Sequence, residues 1–166
     1  MKYTSTNIFS DFEFHDAYFK LESIKDNTLT ISVRYLNIHK GTEQNPYNTD
    51  MEIEVAQITF SNFIIISFEP GRGGWKQDEN GNYYTHEPQV VFEGETAKEK
   101  AINELLHGAT IFEFGTLENG NHYFDGAGDE PWFQAQFSFD IVTLEWDEYR
   151  KPAWYEERSF CIRTML

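Results

Sequence analysis

The chain is nearly free of cysteine. Cys161 is the one thiol in 166 residues, so an intrachain disulfide is excluded and a reducing compartment fits. Long apolar runs are missing too. No stretch approaches the roughly 18 apolar residues that a spanning helix needs, and the opening MKYTSTNIFSDF holds no apolar run of a secretory signal. The expectation is a soluble, cytoplasmic protein with no membrane partner. Positive charge is scarce, with 13 Lys and Arg against 28 Asp and Glu and a net charge of −15. Such a field repels nucleic acid and anionic lipid, attracts basic partners, and keeps an aromatic-rich chain in solution.

The usual cofactor signatures are also lacking. His15, His39, His86, His107 and His122 form no HxH, HxxxH or HExxH spacing, and Cys161 has no companion, so no metal centre is expected. PGRGG at 70–74 lacks the Lys-Ser/Thr and the following helix of a phosphate loop. No G-x-S-x-G elbow occurs. DGAGDE (125–130) does not have EF-hand spacing and reads as an acidic turn. No cofactor is expected.

Aromatics are abundant: 15 Phe, 9 Tyr and 4 Trp, enough for an aromatic-rich core in one domain over 1–166. Most segments read as strand. In TLTISVRYLNI, Leu29, Ile31, Val33 and Tyr35 alternate with Thr30, Ser32 and Arg34; in WFQAQFSFDI, Phe133, Ala135, Phe137, Phe139 and Ile141 do the same. MEIEVAQITF slips phase between Val55 and Ala56, as a bulge or a crossing between layers would require. NFIIISFE is apolar on both faces and predicts a central, covered strand, and PQVVFE and ATIFEFGTLE predict two more. ENGNYY (79–84) and ENGNHY (118–123) signal hairpins with primed Asn-Gly turns. The segment 96–107 predicts a helix, with Thr96 and Glu99 at capping-box spacing, Ala97, Ala101, Ile102, Leu105 and Leu106 on one face, and Gly108 at its end. The expected fold is β-rich α+β. It is an antiparallel β-sandwich or a strongly bent sheet of about eight to ten strands with one helix against it.

FEFHDAYF (12–19) sets a His-Asp pair among apolar residues. Read as a strand, Phe12, Phe14 and Asp16 share one face and Glu13 and His15 the other, so the pair cannot ligate one metal unless a bulge or turn intervenes. The structural reading is a polar group bonded to a neighbouring strand or turn. A second candidate lies toward the C-terminus, where Trp132, Trp146, Tyr149, Trp154 and Tyr155 mingle with Asp129, Glu130, Glu145, Asp147, Glu148, Glu156 and Glu157. Aromatics rimmed by acids suit a surface for a cationic protein or the lining of a small-ligand cleft; alternatively the Trp rings are core.

Phe14, His15, Asp16 and Ala17, followed by LTISVRYLNI and by ITFSNF (58–63), resemble the FHDA signature of bacterial immunity proteins of polymorphic toxin systems, over roughly the first 70 residues. The resemblance implies a small cytoplasmic binding protein in which His-Asp is a structural signature. The leading expectation is therefore a non-enzymatic acidic protein that binds and neutralises a basic toxin. An aromatic cleft for a small ligand or carbohydrate, and an acid- or metal-dependent hydrolase, are the alternatives.

Overall fold

Burial follows the period-two pattern. The computed structural model describes residues 1–71, 76–85 and 87–156; His86, Glu157 and Cys161 lie outside them. In chain order the strands are β1 (Tyr3–Thr6), β2 (Phe12–Glu13), β3 (Tyr18–Lys25), β4 (Thr28–Arg34), β5 (Asn37–Ile38), β6 (Met51–Ile53), β7 (Ala56–Ser61), β8 (Ile64–Pro70), β9 (Lys76–Gln77), β10 (Tyr83–Tyr84) and β11 (Phe92–Glu93). Helix α1 (Gly94–His107) follows, then β12 (Ala109–Thr116), β13 (His122–Ala127), β14 (Phe133–Ser138), β15 (Ile141–Trp146) and β16 (Tyr149–Pro152). Leu29, Ile31 and Val33 are buried while Thr28, Thr30 and Ser32 are half-exposed. Phe133, Ala135 and Phe137 are buried between half-exposed Gln134, Gln136 and Ser138.

The main sheet runs β1-β15-β7-β4-β3-β12-β13-β14-β8-β11, and its pairs are antiparallel. β7 passes into β8 at Asn62–Phe63, and β14 passes into β15 at Phe139–Asp140. The β7–β15 pair (Ile141 opposite Ser61) and the β8–β14 pair (Ser138 opposite Ile64) are thus two halves of one bent ribbon. Asn62 turns the corner at φ 51°, a left-handed conformation that Asn tolerates better than most residues. Because the ribbon belongs to both ends of the ladder, the sheet curls back on itself. Inside the curl Phe60, Phe63, Phe124, Phe133 and Phe137 meet at ring separations of 5.3–5.9 Å. This is the β-rich α+β architecture expected, in its strongly bent form.

A smaller sheet, β16-β6-β5-β2, is built from segments that cross over from the main one. The phase slip in MEIEVAQITF is such a crossing: β6 belongs to the small sheet and β7 to the large. Tyr35 ends the alternation of β4 at φ 60° and is 48% exposed, after which Leu36, Asn37 and Ile38 are all buried. Trp146 closes the layer between the sheets, stacked on Tyr3 at 5.5 Å and edge-on to Phe12 at 5.7 Å.

Several local expectations are corrected. The helix begins two residues before Thr96 and has Glu93 at its N-cap without a side-chain bond, so no capping box forms. Ala97, Ala101 and Leu105 pack against β8 and β3, whereas Leu106 is exposed. PQVVFE pairs only at Phe92–Glu93, with Val90 and Val91 exposed. Ile64 is exposed at the start of β8, so that strand is not covered on both faces along its length. The Asn-Gly hairpins are not primed two-residue turns. In each, a glycine N–H donates back three residues (Gly81 to Asp78, Gly120 to Leu117) and sits at φ 85°. That is a type I turn closed by a glycine bulge, and positive φ falls on the glycine alone, not on Asn80 or Asn119.

Candidate functional site

The FHDA segment is a tight turn, not a strand. The Ala17 N–H donates to the Phe14 carbonyl at 2.9 Å, and Asp16 sits at φ 68°. Phe14 and Ala17 point into the core, while His15 and Asp16 form the exposed tip. The turn is bonded to β12. The Asp16 N–H donates to the Ile111 carbonyl (2.9 Å), and the Ile111 N–H donates to the Ala17 carbonyl (2.8 Å). The His15 ring lies 2.8 Å from the Phe112 carbonyl through Nδ1; a carbonyl only accepts, so Nδ1 carries the proton. Phe112 is the extra residue of a β-bulge between Ile111 and Glu113, which aims its carbonyl at the histidine. The Glu13 carboxylate accepts from the His15 N–H at 2.8 Å. His15 and Asp16 therefore do share one tip, 3.7 Å apart, as a turn allows and a strand does not.

Beside this turn lies a groove of about 330 Å³ between residues 9–14 and 112–116. Its floor is aromatic: Phe14 and Phe114 stack at 4.7 Å, with Phe9 4.7 Å from Phe114. Phe112 contributes a 40% exposed ring. Glu13 and Glu113 flank it. Tyr123, laid across Gly115, donates its hydroxyl to Glu113 at 2.5 Å. That bond to Glu113 and partial burial push the tyrosine pKa up to about 12.

Glu113 opens a row of polar side chains across the sheet. Register sets Glu113 opposite Asp125, Asp125 opposite Gln134, and Gln134 opposite Glu69. Gln134 donates to Asp125 at 2.9 Å. Burial, and then the charges of Glu113 and Glu69, still raise the Asp125 pKa above the ordinary carboxylate value. Like charges side by side on one sheet face repel.

The expected C-terminal surface is not one patch. Trp146 is fully buried and cannot touch a partner. Trp132 is half-buried at the opposite end of the same bent strand, with its carbonyl accepting from Gly71. Asp129 and Glu130, in the β13–β14 loop, are bonded to the end of α1, where the buried Glu104 carboxylate accepts both their N–H groups and His107 and Asn103 bond the Asp129 carboxylate. Burial raises the Glu104 pKa, against the pull of those backbone bonds. Asp147 and Glu148 are exposed in the β15–β16 turn, where Asp147 accepts from the Lys2 N–H.

Trp154, Tyr155 and Glu156 form a third group, against the 39–50 loop. Asp50 accepts from the His39 ring (2.9 Å), the Lys40 N–H (2.9 Å) and the Tyr155 hydroxyl (2.9 Å), while its own N–H donates to Glu156. Burial alone would raise the Asp50 pKa; the bonds from His39, Lys40 and Tyr155 outweigh it and bring it down. The set clasps the loop to the C-terminal segment. The sequence gives little sign of it, because His39 and Asp50 are eleven residues apart and Tyr155 is more than a hundred further on. His122, the remaining described histidine, is half-buried on Phe139 at 4.6 Å, and burial lowers its pKa. Among the described residues no three His, Cys, Asp or Glu side chains converge as a metal site would require, and no helix is long and apolar enough to cross a membrane.

Two outcomes follow from this geometry. Asp16→Gly keeps the positive-φ turn and is expected to change stability by less than about 1 kcal/mol, whereas Asp16→Val is expected to cost about 1–3 kcal/mol in denaturant unfolding. Asp125→Asn is expected to match or exceed the parent by up to about 1 kcal/mol at neutral pH. The raised pKa of Asp125 means the folded state takes up its proton more readily than the unfolded one. Acidification through that range favours folding of the parent, and the advantage of the variant fades; urea titrations at stepped pH measure this. Comparison with protein-family models, curated proteins and solved structures finds no match for the chain.

Proposed function

We propose that this chain is a non-enzymatic binding protein whose partner is a basic protein. The observation that carries the reading is the aromatic groove flanked by Glu13 and Glu113 and continued by the row through Asp125 and Glu69, on a chain of net charge −15. Apolar rings supply area that gains from leaving water, and the carboxylates steer a cationic surface onto them. The same field disfavours nucleic acid and anionic membranes. Neutralisation of a basic toxin in the cytoplasm is the specific form that the FHDA resemblance implies, with the His-Asp tip as scaffold. The acids Asp147 and Glu148 are exposed as well and add to the negative exterior.

Affinity capture with the full chain from extracts of its source tests the reading. Basic proteins are expected to be retained at low salt and released as salt rises. A Glu13→Gln, Glu113→Gln pair is expected to slow association about tenfold, because rim charges act mainly on the encounter rate. Recovery of acidic or neutral partners, with no salt dependence, contradicts it.

A further inference from the structure

Among the described residues, β12 has a partner on each side only at its start. It pairs with β3 at Ala109 and Thr110, and Ile111 bonds Ala17. Past the bulge its one partner among the described residues is β13. The hairpin closes through the Leu117 N–H to the Asn121 carbonyl. Antiparallel alternation then turns the backbone groups of Glu113 and Gly115 toward β13 and those of Phe114 and Thr116 away from it. Phe114 and Thr116 border the groove. Among the described residues their backbone N–H and C=O groups meet no partner on that side. The FHDA turn pins residues 14–17 to Ile111 and Phe112 and so shuts one end, leaving 9–13 and 113–116 as the two walls.

From this geometry we infer that the groove receives an extended segment of the basic partner, which adds as a strand to the open edge of β12 at Phe114 and Thr116. An unpaired edge offers main-chain bonds to any extended peptide, and alternate side chains of that peptide point to opposite faces. One set meets the rings of Phe9, Phe14 and Phe114. The other set reaches the sheet face that carries Glu113 and Asp125, where lysine or arginine relieves the repulsion along the row. Charge complementarity thus selects a segment alternating apolar and cationic residues. The inference rests on the proposed binding of a basic partner and names the form that the contact takes.

Panning a library of displayed random peptides of about eight residues, long enough at about 3.3 Å per residue to span the edge, against the full chain tests it. Enriched sequences are expected to alternate apolar residues with Lys or Arg. A synthetic peptide of that sequence is expected to shift the amide resonances of Phe114 and Thr116 and slow their hydrogen exchange. N-methylation of its alternate residues is expected to weaken binding about tenfold, since about two main-chain bonds are lost while side chains and charge are kept. Equal binding of the methylated peptide, with the groove resonances still shifted, overturns strand addition and leaves the basic-partner reading intact. Enrichment of acidic or patternless peptides overturns strand addition, and if capture from extracts then also returns no basic protein, the reading beneath it falls as well.

Discussion

The first crossing between the two sheets is held by one set of hydrogen bonds, between the turn at Phe14–Ala17 and the bulge in β12. The chain leaves the small sheet after β2 and must enter the large one as β3 with four residues between them. That reversal needs positive φ at Asp16. A single strained residue persists only where its surroundings hold it. Here they do: the Asp16 N–H, the His15 ring and the Ala17 carbonyl all bond Ile111 or Phe112. Phe14 and Ala17 anchor the ends of the turn in the core. The bulge that aims the Phe112 carbonyl at His15 also carries β12 away from β3. One irregularity therefore both fixes the joint and opens the groove beside it.

Charge and aromatic content divide between the two sides of the bent sheet. Phenylalanine fills the interior of the curl and continues to the groove floor, where Phe9 and Phe114 are half-buried rather than buried. Carboxylates occupy the outer face. Glu104 is one exception, buried near the end of α1 and answered by two backbone N–H donors from the loop at Asp129 and Glu130. Asp50 and Glu52 are the other buried acids among the described residues: donors from two side chains and one backbone N–H answer Asp50, and the Arg150 guanidinium answers Glu52. Carboxylates with such partners serve the fold. Those of Glu113 and Asp125 lie on the sheet face beside the groove, each with one neutral side-chain donor, Tyr123 and Gln134 respectively, and the proposed recognition surface is placed there.

Much of the fold is legible in the sequence because period two survives in the strands that line the curl, as in 28–34 and 133–138. The crossing at Glu54–Val55 is legible as a phase slip. What alternation hides is where a strand stops being straight: WFQAQFSFDI looks continuous, yet Asp140 starts a new direction, with its N–H given to the Ser61 carbonyl. The site is less legible. FHDA draws attention to itself, but strand periodicity wrongly sends His15 and Asp16 to opposite faces, since nothing local announces positive φ at a non-glycine residue. The C-terminal Trp and acid residues are close in sequence but scattered by the bend, with Trp146 in the core. The groove joins segments about a hundred residues apart, a proximity held by the turn-to-bulge bonds and by Phe9 and Phe14 packing on Phe114.

Native-state hydrogen exchange of the Asp16 and Ile111 amides tests the central claim most directly, that the His-Asp tetrapeptide is a structural lock between the sheets. The account predicts that both amides exchange only through openings close in free energy to global unfolding, alongside core amides of β4 and β14, although the tip itself is exposed. Exchange of either amide at the rate of a frayed loop, with the core still protected, would contradict it.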